Sequence, residues 1–315
     1  LIVTGVQTCA LPIYWGGIAP INTAWTTPYT TSSIPLIDRR NAQEAIDALL
    51  TAMGDGATGS DIWILPNQTL EGSVNSALGS SMIEKAIRSQ AFDRFDRAVL
   101  ERRGTFEDHM KEHLSKKRRK DLRRNGKRLD ELGEVTWEAH TKGPALNDAI
   151  DAFLRIEASG WKGKQGTALD CQEATRAFAK QAFGDQGRGA ITRADVLSLD
   201  GQAIAINLTL MAGRTGFTIK CAFDEAFRAQ SAGLLLEEEM IRNVLEGDWT
   251  DRLDSATAAG HLITSFWNET VTVGDLLIDT KPNAGRARFR ILQSLETTRR
   301  TLRSHAKTIV NRLRP

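Results

Sequence analysis

The segment at residues 223–233, which joins an expected strand to an expected helix, is suited to bind a phosphate group. It ends in a glycine, and the apolar spacing of the next run, residues 234–245, predicts a helix. Backbone N–H groups at a helix N-terminus and the positive end of the helix dipole favour an anion. The predicted phosphate-binding residues are Gln230, Ser231, Ala232, Gly233 and Leu234. An ordinary strand-to-helix turn, which any α/β protein contains, is the alternative.

A second segment, at residues 161–169, combines an indole, two lysines and two glycines between two expected helices. Trp161, Lys162 and Lys164 lie within four positions of one another, so they could clamp an anionic or planar ligand. The alternative is a solvated loop that Trp161 anchors. From the residue types alone, both interpretations stay open.

Asp254 and His261 form a third set, because Asp254 ends an expected strand and His261 precedes a short expected helix. A carboxylate and an imidazole at the same edge of a sheet could share proton transfer. Each residue is also typical of a structural role, Asp254 as a turn or cap residue and His261 as a surface side chain.

The charge of the chain is concentrated in two basic segments. Its net charge is only +2, from 41 Lys and Arg against 39 Asp and Glu. Residues 116–128, however, contain nine Lys or Arg and one acid, Asp121. Such a helix could bind nucleic acid, anionic lipid or an acidic polymer, although no aromatic residue interleaves with it to stack on bases. A solvated helix face packed through its leucines is the alternative, and the basic tail at residues 286–314 has the same two interpretations.

Composition indicates a globular protein of about two domains, because 41% of the residues are hydrophobic and 25% are charged. Three cysteines without a CxxC spacing argue against a disulfide framework or a zinc site, so we expect no metal and a reducing, cytoplasmic location. No apolar run reaches the roughly 18 residues that a membrane helix needs.

The hydrophobic pattern predicts an α/β fold with a mixed sheet. The Asp200-Gly201 pair between two β-rich runs predicts a hairpin, and the second half of the chain follows the order β-β-β-α-β-α-β. The expected helices are residues 41–53, 80–90, 116–128, 145–157, 234–245 and a short one near 261–267. The expected strands are residues 62–65, 135–138, 195–199, 203–211, 217–223, 251–254 and 271–278, while residues 14–35 are expected to form a loop.

The first 13 residues are interpreted as a non-native leader. They lack the basic segment of a signal peptide, and residues 3–13 look like the translation of a sequencing adapter. We therefore leave Cys9 out of the functional interpretation. We expect the natural protein to be longer at its N-terminus, with part of its first domain missing from this sequence.

Three pieces of sequence resemble a hallmark of the BioF2-like or CelD-like proteins, a family of the GNAT superfamily found beside bacterial polysaccharide and cellulose genes. They are Phe153-Leu154-Arg155-Ile156-Glu157, Gly160-Trp161-Lys162-Gly163 and Gly166-Thr167-Ala168-Leu169. Four further pieces agree in order, namely residues 115–128, 199–205, 220–236, and Asp254-Ser255 with His261 and Trp267. The resemblance covers about residues 30–280.

The resemblance implies a tandem GNAT-like acyl-CoA N-acyltransferase fold whose first unit is truncated. The implied segments are a partial N-terminal unit at residues 14–140, an acyltransferase domain at 141–285 and a basic C-terminal helix at 286–315. Acetyl-CoA or another acyl-CoA would place its pyrophosphate on residues 230–234. The superfamily pattern Gln/Arg-x-x-Gly-x-Gly/Ala is kept at Gln230 and Gly233, but Leu235 replaces its last small residue.

The resemblance also implies roles in acyl transfer. A backbone N–H within residues 218–222 would meet the thioester carbonyl, and Glu225, Asp224 or Asp254 would act as base. His261 would act as acid or position the substrate. Trp161, Lys162, Lys164 and Asp224 would bind substrate. The tyrosine acid common in the superfamily is absent, because the only tyrosines are Tyr14 and Tyr29.

The function implied is transfer of an acyl group from acyl-CoA to an amine on a small molecule or saccharide. Polysaccharide synthesis machinery is an expected partner, nucleic acid is not, and the basic helices could contact a membrane surface. One alternative is an aminoacyl-tRNA-dependent transferase of the cell-wall type, in which the basic segments would hold RNA. Another is a non-catalytic accessory protein of a polysaccharide synthase, which Leu235 and the missing tyrosine favour.

Overall fold

The protein is described by a computed structural model that covers residues 10–15, 19–27, 29–55, 59–185, 191–258, 260–267, 269–281 and 286–313. Side chains are described between residues 20 and 306, apart from the same gaps. Most of the leader predicted at residues 1–13, including Cys9, lies outside the described residues, although Ala10–Trp15 form a strand.

Helices and a sheet with both parallel and antiparallel pairs are present, which confirms the predicted mixed α/β class. The strands are β1 (Ala10–Trp15), β2 (Ala19–Ala24), β3 (Ile62–Thr69), β4 (Arg88–Glu101), β5 (Val135–His140), β6 (Thr192–Leu199), β7 (Gln202–Ala212), β8 (Thr215–Phe223), β9 (Arg252–Asp254) and β10 (Glu269–Asp279). The α-helices are α1 (Ala42–Gly54), α2 (Ser73–Glu84), α3 (Phe106–His113), α4 (Lys116–Asp130), α5 (Gly143–Ser159), α6 (Trp161–Lys164), α7 (Glu173–Phe183), α8 (Ala232–Glu246) and α9 (Arg286–Leu313).

The chain divides into two compact units, and the second, Asp96–Val271, contains all the predicted site residues. Its strands follow the order β4-β9-β8-β7-β6-β5. The pairs from β5 to β8 are antiparallel, whereas β8 and β9 run parallel with α8 between them in the chain. Asp200 and Gly201 both have positive φ, 48° and 76°, as a tight β-hairpin turn requires. The predicted order of three antiparallel strands, a helix and a further strand is confirmed.

One face of the second unit's sheet is covered by α8 together with α3 and α4. Leu236, Met240 and Val244 recur every four residues on α8 and are buried, so a single apolar stripe joins the helix to the sheet. The opposite face is covered by α5, because Lys220 reaches the α5 residue Glu157 while Phe223, three positions along β8, packs against α8. The second unit is therefore a sheet between two helical layers.

The first unit, Leu1–Phe95 with Thr272–Pro315, has its own two-sided core. Its strands include the series β1-β2-β3-β10. Side chains of β3 alternate between two clusters, since Trp63 and Leu65 pack with α1 and α2 whereas Ile62 and Ile64 pack with Phe289 of α9. The strict alternation shows that β3 is buried on both faces.

Two of the predicted elements were wrong. The helix expected at residues 80–90 ends at Glu84, because Ala86 adopts a positive φ of 52° that interrupts it, and the strand β4 begins at Arg88. The loop expected at residues 14–35 contains β2, which pairs with β3 and buries Ile21. Its threonine-rich sequence masked a strand that tertiary pairing forms.

Pro66 does not end the strand that was predicted at residues 62–65. The register between β3 and β10 shifts between the pairs Leu65–Leu276 and Gln68–Gly274. Pro66 lies inside that irregularity, where a missing N–H costs no ladder hydrogen bond. The strand consequently continues to Thr69.

The limits of the compact units differ from the domain boundaries predicted at residues 140 and 285. The basic helix α4 belongs to the second unit, while β10 and α9 belong to the first. The chain thus leaves the first unit after Phe95 and returns to it at Thr272, which local composition cannot reveal.

Candidate functional site

The predicted phosphate turn lies at the end of β8, where a 3₁₀ turn (Glu225–Gln230) leads into α8. Ser231 adopts a left-handed conformation with φ 56° and ψ 43° and reverses the chain into the helix. The N–H groups of Leu234 and Leu235 both donate to Ser231 O. The N–H groups of Ala232 and Gly233 donate to no acceptor among the residues that the structure describes. The turn therefore presents backbone donors at the positive end of α8, as a phosphate site requires.

Gly233 is required by packing. A Cβ atom at this position would lie 3.2 Å from Cδ1 of Phe223, closer than most real Cβ contacts. The glycine thus lets α8 start directly against the last residue of β8. This close approach sets the distance between the N-terminus of α8 and the end of β8.

The parallel pairing of β8 with β9 is short. The shared register ends at the pair Phe217–Asp254, whereas β8 continues to Phe223. Directly after this point β8 contains a bulge. Leu208 of β7 pairs with Lys220 and Thr209 with Thr218, so Ile219 is the extra residue of the bulge. Bulges leave ladder groups unpaired and are frequent beside active sites. The predicted carbonyl-binding segment, residues 218–222, coincides with this bulged part of β8.

The basic helix α4 packs beside the phosphate turn. Nδ2 of Asn125 donates to Oγ of Ser231 at 3.0 Å, and a Cβ on Gly126 would lie 3.9 Å from Cδ2 of Leu235. Leu235, which departs from the superfamily pattern, therefore lies against α4. The exposed basic residues of α4 are Lys116, Lys117, Lys120, Arg123, Arg124, Lys127 and Arg128. Only Arg124 has an ion pair described within the helix, with Asp121 at 3.0 Å.

The motif at residues 160–164 forms the short helix α6, which is held by a buried carboxylate. Glu157, whose side chain is 1% exposed, accepts hydrogen bonds from Nζ of Lys162 at 2.9 Å and of Lys220 at 3.3 Å. The N–H of Leu169 donates to its other oxygen at 2.9 Å. Burial opposes ionisation of Glu157, but these hydrogen bonds and the two lysine charges outweigh it and lower its pKa. Sequence reasoning missed Glu157 and Lys220, although Glu157 was part of the recognised motif.

Glu225, predicted as a base, caps α6. Its Oε1 accepts the N–H of Trp161 at 3.1 Å, and its Oε2 lies 3.7 Å from Nζ of Lys164. The two lysines of the motif thus contact different carboxylates, Glu157 and Glu225, and do not converge on one point. Trp161 remains 51% exposed.

A small cavity of about 50 Å³ lies between α6 and the last residues of β8. Glu225, Glu157, Trp161 and Lys162 line it together with residues 221–223. A larger cavity of about 570 Å³ lies between α5 and the strands β5, β6 and β7, and Ile156 lines both cavities. The α6 side of the sheet therefore offers a small space, reached by two carboxylates, directly next to β8.

Asp224, Asp254 and His261 each have a structural partner. Asp224 accepts the N–H of Ala226 and caps the 3₁₀ turn. Asp254 is buried, pairs with Arg97 at 2.9 Å and accepts the N–H of Ala256. His261 is exposed, and its Nδ1 accepts the N–H of Ile263. No contact between Asp254 and His261 is described in this part of the chain, and their catalytic roles stay predictions.

A further polar pair, Glu237 with Trp267, lies on the α8 face and was not predicted. Nε1 of Trp267 donates to Oε1 of Glu237 at 2.6 Å. Burial, together with the nearby Asp195, raises the pKa of Glu237 to about 7 despite the indole hydrogen bond. Trp267 was part of the family resemblance, but a helical glutamate that follows three leucines and precedes two more glutamates gave no signal of a partner.

Within the ranges described, no group of three or more His, Cys, Asp or Glu residues is arranged to hold a metal ion. None of the helices in the same ranges has the length and hydropathy needed to cross a membrane.

The family model of the acetyltransferase (GNAT) domain matches residues 116–259. No curated protein sequence matches the chain. Among solved structures, FemX is similar with a TM-score of 0.57 and 10% identity over 82% of this chain and 80% of that one. The C-terminal domain of a putative lysylphosphatidylglycerol synthetase from Agrobacterium fabrum gives a TM-score of 0.52 at 12% identity, over 88% and 81%. L-PGS from Bacillus licheniformis gives 0.50 at 10% identity, over 87% and 81%.

These comparisons establish a GNAT-like fold, with a GNAT-type domain at residues 116–259. The domain match spans the basic helix α4, the motif at α6, the phosphate turn and Asp254, which are the features assembled in the second unit.

Proposed function

We propose that the protein is an N-acyltransferase that moves an acyl group from acyl-CoA to an amine. The observation that carries this proposal is the position of the phosphate turn at the end of the same strand, β8, that parts from β9 and bulges at Ile219. A donor whose pyrophosphate binds residues 230–234 could extend its thioester along the open edge of β8. The N–H groups of the bulged segment 218–222 would then polarise the carbonyl.

The acceptor amine is proposed to approach from the α6 side. The cavity beside β8 carries the carboxylates Glu225 and Glu157 and the exposed indole of Trp161, which suit a cationic amine. Lys162 and Lys220 both hold the buried Glu157. Glu225 is 30% exposed and its ion-pair contacts, with Lys164 at 3.7 Å and Arg228 at 3.8 Å, are longer, so it is the more available base in this cavity. Transfer then joins the amine nitrogen to the acyl carbon and releases CoA as a thiol.

An aminoacyl-tRNA donor is the second candidate. The exposed basic face of α4 next to Ser231 favours it, because a polyanion bound to α4 would have its end at the same turn. The nearly neutral net charge of the whole chain shows that this face is a local feature. Both donors place an anionic group at the N-terminus of α8.

The BioF2-like or CelD-like assignment, a saccharide acceptor and a link to polysaccharide synthesis remain parts of the proposal. They rest on the motif around Trp161, which the structure builds as α6 on Glu157. The accessory alternative drew on Leu235, but this side chain packs toward Gly126 of α4, which favours a functional turn.

Titration calorimetry separates these functions. The full chain is titrated in parallel with acetyl-CoA and with deacylated tRNA at fixed salt. Saturable binding of acetyl-CoA supports the acyl-CoA donor, and binding of tRNA with no response to acetyl-CoA supports the second candidate. Binding of neither contradicts both enzymatic functions and supports the accessory alternative.

A further inference from the structure

Glu237 lies on the α8 face of the sheet. It is on the second turn of α8, the helix whose N-terminus forms the phosphate turn. Phe223 packs against Gly233 of α8, and strand alternation places Cys221 on the same face. Glu237 follows Gly233 by four positions on α8, so it lies on the same side of the helix and faces Cys221, and its charge raises the pKa of that thiol. Glu237 thus faces the part of β8 that continues past β9.

Glu237 and Cys221 are surrounded by protein but are still reached by solvent. Cys221 is solvent-accessible, yet the protein around it and the charge of Glu237 raise its pKa to about 12 against an opposing effect of Lys162. Glu237 itself is half-buried, with the almost fully buried Trp267 against one oxygen. A carboxyl group that is desolvated but still accessible can stay protonated and meet a bound molecule.

The charged groups near Glu237 leave it as the group placed to exchange a proton. Asp195 on β6 is buried and tied to Arg193 at 2.9 Å, so it is already compensated. Lys162 points to Glu157 on the other face. The indole of Trp267 donates a hydrogen bond but cannot ionise. The second carboxyl oxygen of Glu237 has no hydrogen bond described within the ranges given above.

We propose that Glu237 is the general acid of the transfer and delivers its proton to the sulfur that leaves as CoA. The inference rests on the proposed function and adds the residue that would replace the missing tyrosine. When the amine nitrogen bonds to the acyl carbon, the C–S bond breaks and its electron pair moves to sulfur. The carboxyl proton of Glu237 passes to that sulfur, the proton lost by the amine passes to a base on the α6 side or to water, and solvent reprotonates Glu237.

The test uses binding, so that no acceptor has to be known. The full chain and its Glu237→Gln variant are titrated with CoA and with desulfo-CoA at about pH 6 and about pH 8.5, on either side of the pKa of about 7. In the parent, CoA affinity should fall several-fold more than desulfo-CoA affinity as pH rises, because ionised Glu237 can no longer donate to sulfur. Glu237→Gln, whose amide donates at both pH values, should lose this difference. Glu238→Gln, which changes the adjacent residue, is the matched control and should keep it.

Cys221 supplies an independent readout in the same samples. Its alkylation by iodoacetamide, followed by peptide mass spectrometry, should slow at least about tenfold with saturating acetyl-CoA, because the bound arm of the donor covers this part of β8. Three results would overturn the inference: equal pH dependence of CoA and desulfo-CoA affinity in the parent, a retained difference in Glu237→Gln, or a Cys221 that acetyl-CoA does not protect. In each of these cases, binding of acetyl-CoA would still support the proposed function. No binding of acetyl-CoA would overturn both.

Discussion

Glu157 is the residue on which the α6 motif depends. Replacing it with glutamine leaves Lys162 and Lys220 without their shared buried carboxylate. We expect Glu157→Gln to lower the free energy of unfolding by about 1–3 kcal/mol at pH 7, since a buried charged partner is lost. The exposed Glu173→Gln on α7 should change it by less than about 0.5 kcal/mol. Urea unfolding followed by tryptophan fluorescence measures both.

The pH dependence of this effect has a defined sign. Because the folded-state pKa of Glu157 lies below its usual 4.5, its contribution is present above about pH 4.5 and is lost as pH falls through the folded value. The gap between parent and Glu157→Gln should therefore narrow under acid. A gap that is constant from pH 7 to pH 3 would show that the charge of Glu157 plays no part.

Glu237 should show the opposite dependence. Its pKa is raised from 4.5 to about 7, so its stabilising contribution is present below about pH 4.5 and lost as pH rises through 7. We expect Glu237→Gln to be more stable than the parent at pH 8.5, on the order of 1–3 kcal/mol, and equal to it near pH 4. Thermal unfolding across this pH range is the measurement, and equal melting temperatures at pH 8.5 would argue that Glu237 ionises normally.

At the scale of elements, the contact between α4 and α8 places a basic helix beside the phosphate turn. Gly126 lies inside α4, and a methyl group there would be at ordinary contact distance, 3.9 Å from Leu235. Gly126→Ala should stabilise the protein by about 0.5–1 kcal/mol through helix propensity and leave donor affinity unchanged. Gly79→Ala in α2, where the added methyl meets open space, is the matched control. If Gly126→Ala destabilised the protein and Gly79→Ala did not, α4 and α8 would have to approach each other more closely than the structure shows.

The elements of the second unit were predictable because each carries a strong local signal. Asp200-Gly201 marks a hairpin, leucines at helical spacing mark α4 and α8, and apolar runs mark β6 to β8. β4 was missed because its first half mixes polar, charged and apolar residues without a regular alternation, and only residues 97–100 near its end are buried. Its assignment as a strand depends on pairing with β9, 150 residues later in the chain, which no local pattern encodes.

Of the candidate site, too, only the part with a local sequence signal was predictable. The turn at residues 230–234 has a local signature, and the structure places it at the end of β8. The partners of Glu157, the capping role of Glu225 and the Glu237–Trp267 pair join residues 5 to 64 positions apart, so they follow from the topology. Residue types indicated the chemistry, and only the fold indicated which groups are already engaged.

At the scale of the whole molecule, the first unit has a core of its own, and the second unit contains the site. Leu50 of α1 is 1% exposed, and Leu50→Ala should cost about 2–5 kcal/mol of stability through the cavity it leaves. We expect acetyl-CoA affinity to stay within about twofold of the parent at a temperature where both are folded. Leu36→Ala, at an exposed position in the same unit, is the control for stability. A large loss of affinity in Leu50→Ala would show that the site depends on the first unit.

The central claim is that α8 begins at an anion site, and a charge at Ser231 tests it most directly. Ser231 precedes α8 and adopts the left-handed conformation, which Asp and Asn tolerate and where either can cap a helix. Ser231→Asp and Ser231→Asn therefore should both fold, and they differ chiefly in charge. In calorimetric titration, Ser231→Asp should bind acetyl-CoA at least about tenfold more weakly than the parent, because its carboxylate repels the pyrophosphate. Ser231→Asn should bind with an affinity near that of the parent. Equal affinity of the two variants would contradict a phosphate site at this turn.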